Sequence, residues 1–347
     1  MNISIISHGA HGGRGGIDQY IANLIDVLIS AKKIKCINLF TRNKVRLDNK
    51  KVSKIFDNNL LRIIIFNFIT ILKSDIIMIG HINLIPYLLF AIIFNKKIIL
   101  LSYGMEIWGE KKNVFYKLII KRINYFICMR NYTLKKLKKI YDLKNKNFFL
   151  LPNCIKLKKL IPMNSKKNKN IITIARLDSG EKFKGIDETL EAIALLKKID
   201  FTYYVVGDGN DKHRLLKKAK KLKINDNVKF FGKVSNLKRD KLFSKSSIIT
   251  MPGSDKTFDT YPFRFAFLEA AEFGLKIIGS YPPEMKERNC EKKYTNIHFV
   301  NPKNKKEILY KIITLQKQKK KIDTKYLKDY SFKNFEEKFN NILSHIY

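Results

Sequence analysis

Residues 171–196 read IITIARLDSGEKFKGIDETLEAIALL, and this stretch decides how the chain is built. Four β-favouring residues, Ile171 to Ile174, predict a strand that ends at Arg176. A polar loop follows. Apolar Ile186, Leu190 and Ile193 then predict a helix opening at Lys184-Gly185. Asp187 and Glu188 suit the positive end of that helix, whereas Lys184 opposes it unless something negative binds there. Two cations flanking one strand-to-helix turn make phosphate the natural ligand.

The same alternation continues toward the C-terminus. Thr202 to Val206 predicts a strand ending in the turn Gly207-Asp208-Gly209, and Lys212 to Leu222 a helix with Leu215, Ala219 and Leu222 on one face. Val228 to Phe231 and Ser247 to Met251 predict further strands around a helix with Ser235 at its N-cap. Pro262 opens a helix, Phe263 to Phe273, stopped by Gly274. Glu269 lies within its apolar stretch FRFAFLEAAEF and must find a polar partner or lose its charge. A ribose diol would satisfy both its oxygens; a salt bridge to a lysine would serve as well. Arg264 repeats the anomaly of Lys184, a cation at a helix start. Lys276 to Gly279 and Ile297 to Val300 add strands, and a last helix from Phe332 to Ile346 carries Phe335, Phe339 and Ile342 on one face. Strands alternating with helices imply a parallel sheet covered by helices.

The N-terminal half follows the same plan. Ile3 to Ser7 predicts a strand, His8 to Gly16 a glycine-rich turn, and Ile17 to Ser30 a helix. Gly9, Gly12, Gly13, Gly15 and Gly16 do not form GxGxxG, and the second strand, Ile34 to Phe40, ends in Thr41-Arg42 without a ribose-binding acid. A nicotinamide dehydrogenase is therefore the weaker reading. Asp75 to Gly80 and Ile98 to Ser102 predict strands, with His81-Ile82-Asn83 opening a helix over Leu84 to Phe94. Polar groups at the carboxyl ends of such strands line the binding crevice of open α/β sheets, which nominates His81 and Glu106. Each also has a plainer role: His81 caps the next helix, or Glu106 pairs with a lysine. Phe115 to Met129 and Thr133 to Ile140 predict helices, and Phe148 to Leu151 a last strand. Polar, basic Lys158 to Asn170 marks the domain boundary.

The chain has 347 residues, enough for two ordinary domains, and its 69 Lys plus Arg against 30 Asp plus Glu give a net charge of +39. No nucleic-acid recognition motif accompanies the charge, so a basic face on anionic membrane lipid is the better expectation. Cys36, Cys128, Cys154 and Cys290 are scattered without a CxxC pair and read as reduced, buried thiols of a cytoplasmic protein. The start, MNISIISHGAHGG, has no basic n-region, so no signal peptide is expected. Apolar runs Leu60 to Leu72 and Leu84 to Phe94 are too short to span a bilayer.

The pattern resembles the retaining GT-B glycosyltransferases, and within them glycosyltransferase family 4, the group 1 transferases. The resemblance implies two Rossmann-like domains facing each other across a cleft: residues 1–160 on the acceptor side and 161–330 on the nucleotide-sugar side. A C-terminal helix, 331–347, would cross back to pack on the first domain. It implies that Arg176 and Lys184 hold the donor diphosphate, and that Glu269 is the second glutamate of the family's E-x7-E motif and binds the nucleotide ribose. Gly207 in the GDG turn, Arg264 and Phe265 at the helix start, and Gly15-Gly16 fall on the donor side. His81, Asn83, Tyr103 and Glu106 resemble acceptor-side motifs, with His81 also among the catalytic group. Tyr261 stands where the first glutamate of E-x7-E belongs, and Pro262-Phe263-Arg264 replaces the family's Gly-Phe-Gly. Asp259 from the loop is a candidate substitute for that glutamate. No Asp-x-Asp follows a strand, in keeping with metal-free transfer, and no cofactor is expected. The implied reaction moves a hexose from a UDP- or GDP-linked donor onto a lipid-linked or oligosaccharide acceptor of surface polysaccharide, lipopolysaccharide, O-antigen or capsule, by an enzyme peripheral at the inner face of the cytoplasmic membrane. The other expectations are a catalytically weakened nucleotide-sugar- or glycan-binding partner subunit, for which Tyr261 speaks, and, less favoured, nucleotide-sugar epimerisation.

Overall fold

Strand β1 (Asn2–Ser7) feeds a loop and helix α1 (Gly16–Ser30), the first unit of a repeating strand-and-helix chain. The computed structural model describes residues 1–12, 15–56, 68–108, 114–157, 169–253, 264–281, 294–318 and 322–347. Along the chain follow β2 (Cys36–Thr41), β3 (Val52–Phe56), β4 (Ile76–Ile79), a 3-10 segment Ile82–Leu88, α2 (Leu89–Ile93) and β5 (Lys97–Ser102). Then come α3 (Met105–Trp108), α4 (Val114–Arg122), β6 (Tyr125–Cys128), α5 (Asn131–Tyr141) and β7 (Asn147–Leu150). The second series is β8 (Asn170–Ile174), a 3-10 turn Ser179–Lys184, α6 (Ile186–Ile193), β9 (Tyr203–Val206), α7 (Lys212–Lys221), β10 (Val228–Gly232) and α8 (Asn236–Ser244). It ends with β11 (Ser246–Met251), α9 (Phe265–Glu272), β12 (Lys276–Ser280), β13 (Ile297–Val300), α10 (Lys305–Lys317) and α11 (Phe332–Ile346).

The chain divides into two compact units, Met1–Cys154 with Tyr330–Tyr347, and Ile155–Asp329. Unit one holds a seven-stranded sheet, β3-β2-β1-β4-β5-β6-β7, and unit two a six-stranded sheet, β10-β9-β8-β11-β12-β13. Every strand pair in both is parallel. Parallel strands are covered on both faces, so they read as continuous apolar runs; Ile76–Ile79 is buried at every position. In each sheet the strand order reverses beside the first strand, at β1/β4 and at β8/β11. The ligand-binding crevice of open α/β sheets lies there, outside the carboxyl ends of the strands.

In unit one, α11 returns to pack on α1 through Phe335, Phe339, Ile342, Leu343 and Ile346, all buried. Phe335 meets the ring of Tyr20 edge-on at 5.6 Å. Each of these side chains contributes roughly 2 kcal/mol on burial. Lys97 Nζ donates to the carbonyl of Ile346 at 2.9 Å, placing a cation at the negative end of the helix.

Several local expectations are corrected. The helix expected over Phe115 to Met129 stops at Arg122, and Tyr125–Cys128 is strand β6 between β5 and β7. A short buried apolar run does not tell strand from helix by periodicity. The helix expected over Leu84 to Phe94 is a 3-10 segment and a five-residue helix, with Pro86 inside the first. Strand β3 was not expected at all. Cys128 and Cys154 are buried, while Cys36 is only partly so; Cys290 lies outside the described residues.

Candidate active site

In unit two the crevice at β8/β11 is built from buried hydroxyls upward. Tyr203 Oη and Thr173 Oγ1 share a hydrogen bond of 2.8 Å, and Thr173 donates to the carbonyl of Thr250 on β11. Thr189 on α6 lies 3.5 Å from the Thr250 hydroxyl and donates to the Gly185 carbonyl at 2.7 Å. This seam ties both central strands to the start of α6. Gly185 has φ +80°, and a Cβ there would stand 2.5 Å from the Pro252 nitrogen. Only glycine fits where the chain turns into this helix. The helix begins one residue later than expected, at Ile186, after the 3-10 turn.

Arg176 is placed by its neighbours. Ala175 N–H donates to the Val206 carbonyl (3.0 Å), Leu177 N–H to that of Asp208 (3.1 Å), and Asp211 N–H to that of Leu177 (2.8 Å). Gly207 and Gly209 allow this approach, because a Cβ on either would overlap a carbonyl oxygen, of Ala175 or Leu177. The Gly207 N–H donates to Gly232 at 2.9 Å. Gly207, expected on the donor side, thus acts on Arg176 through the backbone.

Both expected cations converge on one carboxylate. Arg176 donates to Glu181 Oε1, and Lys184 Nζ stands 3.7 Å from Glu181 Oε2. Arg176 remains 57% exposed while Lys184 is only 18% exposed, so the pair opens to solvent from the arginine side. Glu181, in a polar loop without periodicity, gave no sequence signal. Its carboxylate occupies the kind of position, between two cations, that suits a phosphate.

Glu269 on α9 is ion-paired with Arg239 Nη1 at 3.0 Å, and Arg239 Nη2 also donates to Asp240 at 3.2 Å. An arginine on α8 thus pairs with it, a contact the sequence did not show because Arg239 sits on a helix of mixed polarity. Arg264 precedes α9, its guanidinium 5.5 Å from the Phe267 ring centre, with Nε and Nη1 buried and unpartnered among the described residues. Phe265 begins α9. Asp259, Tyr261, Pro262 and Phe263 lie outside the described residues.

Behind this crevice, Asp187 receives a bidentate pair from Arg214 (2.8 and 2.6 Å) and a bond from Lys218 (2.6 Å). Burial alone raises the Asp187 pKa, but these bonds outweigh it and leave it below the usual value. Glu188 has no such partners: burial pushes it up to about 7, and Oε2 is unpaired among the described residues. The folded state therefore keeps a proton that the unfolded chain releases near pH 4.5, so this group's contribution to stability falls as pH rises from about 4.5 to 7. Glu188→Gln should leave stability unchanged at pH 4.5 and raise it by about 2 kcal/mol at pH 8, allowing for screening by water. Thermal unfolding at the two pH values measures this; equal gains at both would contradict it.

The residues expected on the acceptor side follow the carboxyl ends of β4 and β5 in unit one. His81 Nδ1 accepts from the Asn83 N–H at 3.1 Å, capping the 3-10 segment, and its ring meets His8 edge-on at 5.1 Å. Burial, then Arg42, lowers the His8 pKa against the opposing pull of Asp18, so the His8 ring favours the neutral state. Glu106 accepts from Tyr103 N–H (2.6 Å) and Gly104 N–H (3.0 Å), which draws its carboxylate inward to the turn after β5. Burial raises the Glu106 pKa; these bonds only partly offset it. The Tyr103 hydroxyl is buried, which raises its pKa further. Gly15 caps α1 with no atom within 4 Å of its would-be Cβ, and Gly16 starts the helix. No group of three or more metal-ligating side chains occurs among the described residues.

The family model described as "Glycosyl transferases group 1" matches residues 158–333, half of the chain and nearly all of unit two. This chain belongs to the group 1 glycosyltransferases. No curated protein sequence matches it. Similar solved structures include the lipopolysaccharide outer core galactosyltransferase WaaB in its apo form (17% identity, TM-score 0.71, covering 99% of this chain and 100% of that one). Anabaena HepE in complex with UDP is 14% identical with TM-score 0.74 (99% and 100% covered), and a Rickettsia africae glycosyltransferase 16% identical with TM-score 0.75 (99% and 98%). The two parallel-sheet α/β domains of this group 1 glycosyltransferase are those of the GT-B fold.

Proposed function

We propose that this glycosyltransferase takes a hexose from a nucleoside diphosphate sugar and transfers it, with retention and without a metal, to a lipid-linked precursor of lipopolysaccharide or another surface glycan. The observation that carries the proposal is the convergence of Arg176 and Lys184 beside the glycine turn that starts α6. A leaving diphosphate gains negative charge as its bond to the sugar breaks. A guanidinium with two parallel donors and a lysine point charge at a helix start stabilise that charge in place. Glu269, oriented by Arg239, would take the ribose hydroxyls, and Arg264 would add a phosphate contact. The acceptor would lie toward His81, Asn83 and the turn held by Glu106. HepE, a structural relative, is described in complex with UDP-glucose, which makes UDP the first base to try.

A thermal-shift screen against UDP, GDP and their common sugars tests the donor. Ligand at 100 times its dissociation constant adds about 2.7 kcal/mol to stability, so one base should raise the melting temperature by several degrees. No shift with any nucleotide would remove the proposal. Tyr261 favours a second reading, a nucleotide-sugar-binding partner subunit. Slow donor hydrolysis by the isolated protein supports the enzyme; binding without turnover supports the subunit.

A further inference from the structure

Unit one leaves large apolar side chains in solvent on three adjoining helical segments. In the helical residues 68–72, Phe68, Ile69 and Leu72 are exposed, and the Phe68 ring meets Phe90 and Phe94 edge-on at 5.3 and 5.7 Å. On α2, Leu89 and Ile93 point outward, Ile93 64% exposed, and Ala91 is the helix's one buried residue. Helix α4 packs beside α2 and exposes Val114 (70%), Phe115 and Leu118 (62%), while Ile119 and Ile120 face the core. Scattered exposed apolar residues are ordinary; a cluster across three segments marks a surface that something covers.

The charge around the cluster says what covers it. On α4 Lys117 is exposed between those apolar residues and Lys121 and Arg122 are exposed after them, Lys73 follows the 68–72 segment, and Lys135, Lys138 and Lys139 are exposed on the adjoining α5. Residues 111–141 contain ten Lys or Arg and no Asp or Glu. A helix that offers apolar and basic residues to solvent together fits the boundary of an anionic bilayer, where side chains enter the acyl region and cations meet phosphates. A second copy would bring the same acid-free stretch against itself, so like charges disfavour it.

We propose that this face, centred on Leu89, Ile93, Val114, Phe115 and Leu118 and ringed by Lys117, Lys121 and Arg122, docks the protein on anionic lipid. It locates the membrane contact in the function proposed above, and rests on that reading only for its purpose. Lipid-linked acceptors lie at the bilayer surface, so this contact brings unit one to its substrate.

Flotation of the full chain with vesicles of phosphatidylcholine and phosphatidylglycerol, or phosphatidylcholine alone, tests it. The wild type should float with the anionic vesicles only. Ile93→Ser/Phe115→Ser/Leu118→Ser and Lys117→Gln/Lys121→Gln/Arg122→Gln should each weaken that binding by roughly tenfold or more. Both triple variants replace exposed side chains and should keep the wild-type melting temperature and nucleotide-induced shift. Absence of wild-type binding to anionic vesicles would overturn the proposal, as would undiminished binding by the serine variant. So would a wild-type dimer in sedimentation that the serine variant splits. Loss of the nucleotide shift in the wild type would instead count against the proposed transfer, leaving the lipid result independent.

Discussion

Replacing Arg176 and Lys184 together with alanine is expected to lower donor turnover by at least about a thousandfold. Loss of one donor to a developing oxyanion costs about 3–4 kcal/mol of barrier, and here both cations go. The double variant also leaves Glu181, their shared partner, as an uncompensated negative charge where the diphosphate would bind. Glu181→Gln should act oppositely and tighten diphosphate binding, since the cations no longer divide themselves between two anions. The fold should survive, because Arg176 is largely exposed and such ion pairs contribute little to stability. Chromatographic assay of donor consumption gives the rate, and circular dichroism the control. A double variant that consumes donor at the wild-type rate would contradict the role given to both residues.

The largest stability effect is expected at Gly207. Its φ is +136°, and a Cβ would overlap the Ala175 carbonyl oxygen in the backbone ladder that carries Arg176. Gly207→Ala combines backbone strain with a steric clash that neither strand can relieve alone, and should cost at least about 3 kcal/mol. In a unit of this size that lowers the melting temperature by about 6–12 °C. Gly15→Ala, with open space around its Cβ and an extended backbone at φ −156°, should change stability by less than about 0.5 kcal/mol. Thermal unfolding compares the two directly. A Gly207→Ala protein as stable as the wild type would show that the turn is not the support it is argued to be.

How much of this was legible in the sequence depended on the kind of signal. Strands of four to six largely apolar residues, and helices with an apolar face, show the alternation that makes parallel sheets. Strand β6 was hidden because Tyr125–Cys128 is buried on both faces and lies next to an amphipathic helix. Lys184, Arg264 and Glu269 stood out because a cation at a helix start, or a carboxylate on an apolar helix, conflicts with local preference. Glu181 and Arg239 conflicted with nothing locally, and their importance lies in contacts with residues five and thirty positions away. Glu106 was legible as a polar residue after a strand, but its inward turn onto the Tyr103 and Gly104 N–H groups belongs to backbone geometry that sequence does not display.

The central claim is that Arg176 and Lys184 grip a diphosphate, and titration calorimetry measures this without any acceptor. Whichever nucleoside diphosphate shifts the melting temperature, UDP or GDP, would be titrated beside its free nucleoside into the wild type and the Arg176→Ala/Lys184→Ala variant. Two charge-assisted contacts of roughly 1.5 kcal/mol or more each predict that the wild type prefers the diphosphate by about a hundredfold or more, and that the variant loses most of this preference while still binding the nucleoside. An unchanged preference in the variant would contradict the account.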